Sequence, residues 1–90
     1  MHKHGKIDGN QNSIVKSIRS IGATVESLAD LGDGRPDILV GFRGKNYLFE
    51  IKKDEKESLT DDQEKWHDKW NGLVYVIYNF DQAMRILIRN

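Results

Sequence analysis

The sequence has no cysteine, a single proline and no long apolar run. Without cysteine, disulfides and thiolate zinc sites are excluded, which fits a reducing compartment. The longest apolar stretch, Leu73 to Tyr78, has the length of a strand. A membrane helix needs roughly 18 apolar residues or more. Residues Met1 to Lys6 lack the apolar centre of a secretory signal, so a cytoplasmic protein is expected. Net charge is also lacking, since 14 basic and 14 acidic residues cancel to +0.

The charge that is present is unevenly spread. Residues 1–20 carry Lys3, Lys6, Lys16 and Arg19 against Asp8. Residues 32–53 carry Arg35, Arg43, Lys45, Lys52 and Lys53 against Asp33, Asp37 and Glu50. Residues 54–72 hold seven acids and three bases. A polyanion would be held by the first two segments, although the same distribution also suits a mixed solvated surface. Ninety residues make one domain with a small core, and self-association is a natural way to bury more apolar surface.

Residues 1–9 are polar and read as a loose segment, leaving residues 10–90 as the domain. Ile14, Val15, Ile18 and Ile21 have helical spacing over 10–21, with Asn10 or Asn12 as N-cap and Gly22 just past the end. Residues 23–28 alternate and read as a strand. Residues 31–36 form a loop. Residues 37–42 and 46–53 read as a hairpin around the turn Arg43-Gly44-Lys45-Asn46. Residues 54–59 are a charged loop, and Thr60 opens a helix from Asp61 to Asn71 that Gly72 ends. Residues 73–78 read as a strand buried on both faces, and 81–87 as a short last helix. The order αβββαβα implies a mixed sheet flanked by helices.

Along the second hairpin strand, Tyr47, Phe49 and Ile51 point one way, into a core. Leu48, Glu50 and Lys52 point the other way. The hairpin returns Asp37 to the side of Glu50 and Lys52. Two carboxylates on a rigid sheet are hard oxygen ligands for Mg²⁺ or Mn²⁺, and the backbone carbonyl of Ile51 would add a third. Lys52 would position a water or offset charge on a phosphoryl transition state. A bare Glu-x-Lys, by contrast, is most often a surface ion pair of little energy.

Taken together, Gly34-Arg35-Pro36-Asp37, the strand Ile38-Leu39-Val40 and Glu50-Ile51-Lys52 resemble the PD-(D/E)XK nuclease superfamily. Within it the chain resembles the virus-type replication-repair nucleases, the VRR-NUC family, in its stand-alone, phage-like type. Gln63, in Leu59-Thr60-Asp61-Asp62-Gln63-Glu64-Lys65-Trp66-His67, matches the glutamine of the family's following helix. The resemblance runs from about Asn10 to the end. It implies a restriction-endonuclease-like αβββαβ core with Asp37 and Glu50 as metal ligands. Lys52 becomes the catalytic lysine and Gln63 a site-lining group. Many members also carry a glutamate in the first helix. Here Asn10 and Gln11 stand nearest, so Gln11 is the candidate first-helix site residue. The implied protein is a Mg²⁺- or Mn²⁺-dependent endonuclease, homodimeric, that hydrolyses phosphodiester bonds at Holliday junctions or other branched DNA. A phage member would act in the host cell cytoplasm.

Several residues have two readings. Gln63 is also the N3 residue of a Thr60 capping box. Trp66 and Trp70, four apart on one helix face, suit core or dimer packing better than base stacking. His67 between them reads as exposed or hydrogen-bonded rather than as a ligand. His2 and His4 make at most a weak metal site. Arg35, Arg43 and Lys53 flank the site as candidate phosphate contacts. Gly34 serves a close backbone approach. The acids from Asp54 to Asp62 suit solvation and the helix dipole. Two other functions fit the residues: a non-catalytic DNA-binding or assembly module on the same fold, and a sequence-preferring restriction or repair endonuclease. The small size leaves little room for the latter's base-reading part.

Overall fold

The structure is a computed structural model that describes residues 9–89. His2, His4 and all but the last residue of the segment expected to be loose lie outside the described residues. Gly9 itself opens α1 (Gly9–Ser20). Asn10 and Asn12 therefore sit inside the helix, and neither caps it as the sequence suggests. The helix ends where expected: Gly22 takes φ 96°, and its N–H donates to the Arg19 carbonyl.

Three antiparallel strands follow: β1 (Thr24–Ser27), β2 (Ile38–Phe42) and β3 (Lys45–Ile51). Their order in the sheet is sequential, and β4 (Tyr75–Ile77) adds at the far edge, parallel to β3. The β2–β3 turn is shorter than the sequence suggests. Phe42 pairs with Lys45, so only Arg43 and Gly44 turn, both left-handed at φ 51° and 81°. That geometry matches the strand twist of a two-residue hairpin, and it starts β3 one residue early. The Arg43 guanidinium lies 4.9 Å over the Phe42 ring, a contact that offsets the strain of a non-glycine residue there.

The helix α2 (Asp61–Lys69) crosses between β3 and β4. Its start is fixed by a complete capping box on Thr60 and by Asp61, Asp62 and Glu64 in the first turn. It stops at Trp70, whose backbone turns extended, rather than at Gly72. The Trp70 ring stacks on Trp66 at 4.7 Å. Neither ring is core: Trp66 is half-buried, and Trp70 is 45% exposed. Strand β4 is also shorter and wetter than its apolar sequence implies. Ile77 is buried, but Val76 is exposed and Leu73, before the strand, is 73% exposed. The strand lies at the sheet edge, where its outer side has no neighbouring strand among the described residues. The last helix, α3 (Phe80–Arg89), is longer than the expected 81–87. Asn79 caps it by accepting from the Gln82 N–H, while the Gln82 side chain accepts from Tyr78.

The two sheet faces differ. Ile38, Val40, Tyr47, Phe49, Ile51 and Ile77 point to one face and meet Ile14 and Ile18 of α1 and Ala83 and Leu87 of α3 in the core. Leu39, Leu48, Glu50 and Val76 share the opposite face, the one under α2. The result is the expected α/β architecture, an αβββαβ core with a mixed central sheet flanked by helices.

Candidate active site

The hairpin register sets Ile38 opposite Phe49, which brings Asp37 level with Glu50. Asp37 is fixed from both sides by its backbone: its N–H donates to the Phe49 carbonyl and its carbonyl accepts from the Leu28 N–H. Its carboxylate accepts the Ile51 N–H at 2.7 Å. The backbone groups of alternate β3 residues point the same way, so the Ile51 carbonyl also faces the Asp37 side.

Glu50 is 1% exposed. Its carboxyl is pushed up from the usual 4.5 to about 8. Burial is the main cause. The charge of Asp37 and a hydrogen bond with its carboxyl add to it, and nearby Lys52 opposes it. Glu50 thus holds its proton to much higher pH than an ordinary carboxyl. Oxygen Oε2 of Glu50 accepts from the Gln63 amide at 3.1 Å. Oxygen Oε1 has no hydrogen-bond partner.

Lys52 is 6% exposed, an unusual position for an ammonium. It donates to Gln63 Oε1 at 2.8 Å and lies 3.8 Å from the Glu57 carboxylate. Glu57 is itself anchored by the Lys53 N–H, which donates to its other oxygen at 2.6 Å. Gln63 serves both readings that its sequence allows. Its Oε1 accepts from the Thr60 N–H in the capping box and from Lys52, and its amide holds Glu50. Burial removes the surface-ion-pair reading of Glu50 and Lys52.

Gly34 explains how α2 comes so close. With φ 80°, it passes the first turn of α2 so tightly that a Cβ there would fall on the Asp62 carbonyl. The glycine thus serves packing against the helix that carries Gln63. Asn10, from α1, donates to the Lys52 carbonyl at 3.4 Å. Gln11, the next residue, is buried. The first helix therefore reaches the site through the neutral amide of Asn10.

Not every expected residue converges. Arg35 is at the mouth of the motif loop, but its guanidinium is turned to Leu31, Gly32 and Asp33. Lys53 is exposed beside the site. Arg43 does not flank it: the hairpin turn lies at the opposite end of β2, about 20 Å from Asp37 at the rise of a strand. Two residues near the site escape the sequence reading. Glu57 looks like one acid in a solvated run. His67 is neither exposed nor hydrogen-bonded: its side chain is 13% exposed and its Nε2 lies 3.7 Å from Glu50 Oε1. Burial and the Lys52 charge lower its pKa below 6.5. Among the described residues, no three histidine or acidic side chains already converge as a ready-made cage.

A helix, a three-stranded meander and a crossover to a parallel strand, with this polar cluster where the hairpin meets the crossover helix, define a nuclease-type fold. A solved structure described as a VRR_NUC domain superposes on the chain with a TM-score of 0.68 and 26% identity. The match covers 87% of this chain and 89% of that one. The likeness supports membership of the VRR-NUC family, as the motifs suggest. No protein-family profile matches the chain, and neither does any curated protein.

Proposed function

We propose that the protein is a Mg²⁺- or Mn²⁺-dependent DNA endonuclease that acts as a homodimer on Holliday junctions or related branched DNA. The observation that carries the reading is the Asp37–Glu50 carboxyl pair, half-buried at Asp37 and fully buried at Glu50, beside a buried Lys52. A buried carboxyl with an unpartnered oxygen, set beside a second carboxyl, forms a site whose crowded negative charge a divalent cation would compensate. Asp37, Glu50 and the Ile51 carbonyl are oxygen donors, and Mg²⁺ is commonly held by one or two carboxylates with water filling the remaining positions. When bound, the metal would supply Lewis acidity at the scissile phosphate and lower the pKa of a water.

The chain's own residues do the rest. Asp37 is oriented by the Ile51 N–H, and Glu50 by the Gln63 amide. Asp37 and Glu50 would hold the cation, whose charge would favour the ionised form of Glu50. The Lys52 ammonium, aimed by Gln63 Oε1, places a positive charge where the phosphate's negative charge grows. Lys53 and Arg35 offer exposed cations for neighbouring phosphates. Branched DNA and the homodimer rest on the family likeness.

The test is cleavage of labelled four-way junction, flap, single-strand and duplex DNA with Mg²⁺, Mn²⁺ or EDTA. Metal-dependent, symmetrically paired cuts in the junction are expected. Lys52→Ala and Asp37→Asn should each lower the rate by at least about 100-fold, the scale for losing one electrostatic group. Cleavage that survives in either variant overturns the site. Binding without cutting under every metal condition favours a non-catalytic DNA-binding module.

A further inference from the structure

His67 follows Gln63 by one helical turn, so α2 carries both side chains over Glu50. Gln63 takes Glu50 Oε2, and the His67 Nε2 faces Oε1 at 3.7 Å. Both facing atoms are buried, and neither has a hydrogen-bond partner. The separation is too long for a hydrogen bond and too short for an intervening water. Two desolvated polar atoms left this way are costly, and native structures rarely keep them without a reason. A cation bonded to both at about 2.1 Å each can span the gap.

We propose that His67 is a nitrogen ligand of the divalent metal at the Asp37–Glu50 site. This inference rests on the metal-dependent reading above and extends it to a residue outside the Asp, Glu-x-Lys and Gln motifs. Glu50 is the shared member: its carboxyl is hydrogen-bonded to that of Asp37, and its Oε1 faces His67 Nε2. The three side chains do not already converge, so binding draws Asp37 and His67 onto Glu50. The consequence is selectivity. Imidazole favours later transition metals, whereas an all-oxygen site suits Mg²⁺. The site therefore prefers Mn²⁺, and Co²⁺ still more, over Mg²⁺.

The test combines calorimetry with pulsed electron paramagnetic resonance on the full chain loaded with Mn²⁺. The wild type should show the ¹⁴N modulation of a directly bonded imidazole, which His67→Gln removes. His67→Gln should also weaken Mn²⁺ binding by about 10-fold or more, the lower scale for losing a metal-site group, and Mg²⁺ binding by much less. Because the resonance signal is read on unaltered protein, a folding defect in the variant does not mask the answer. Absence of nitrogen modulation, or modulation that persists in His67→Gln, overturns the inference and leaves the nuclease reading standing. Failure of the wild type to take up Mn²⁺ in a Glu50-dependent way overturns both.

Discussion

At the scale of single residues, Glu50 links stability to pH with a definite sign. Its carboxyl ionises near 4.5 in the unfolded chain and near 8 in the folded one. Below about 4.5 both states hold the proton, and the group's contribution is intact. Above that, the unfolded chain releases its proton more readily, so stability is lost as pH rises through about 8. In EDTA, the melting temperature should fall over this window, and Glu50→Gln should flatten the fall. An unchanged slope in Glu50→Gln would mean that Glu50 is not the buried proton holder. Much of this site was legible beforehand. Alternation alone sends Glu50 and Lys52 to the face opposite Phe49, and the hairpin brings Asp37 beside them. The depth was not legible, because a helix nine residues further on covers them. His67 was misread for the same reason: in sequence it stands in a polar helix between Trp66 and Asp68, while its neighbour in space is Glu50.

At the scale of elements, the loop before β2 and the first turn of α2 form one unit through Gly34. Gly34→Ala must place a methyl group against the Asp62 backbone and hold a left-handed φ. The strained φ alone is worth about 1–3 kcal/mol. Urea unfolding should therefore show a loss at or above that range, with activity reduced because Gln63 is displaced. A loss below about 0.5 kcal/mol would show that the loop yields without cost. The existence and order of the elements were legible from apolar spacing, glycines and the Thr60 box. Their limits were less so. Arg43 is not a usual left-handed residue, which hid the two-residue turn. The run from Leu73 to Tyr78 is apolar enough for a central strand but sits at an edge.

At the scale of the whole molecule, the sheet has two unequal covers. The helices α1 and α3 bury one face with aliphatic side chains. On the other face, no residue of α2 is buried. That helix is tied down by the Gly34 approach and by polar contacts from Gln63 to Glu50 and Lys52. Amides of α2 should therefore exchange hydrogen much faster than those of β3 in EDTA, and slow on adding Mn²⁺. Equal protection of both without metal would contradict this. The groups proposed for chemistry are thus also the fastening of the helix that bears two of them. Local order and ligand occupancy become one equilibrium, and the bare protein is a frame with one panel hung on its own hinges.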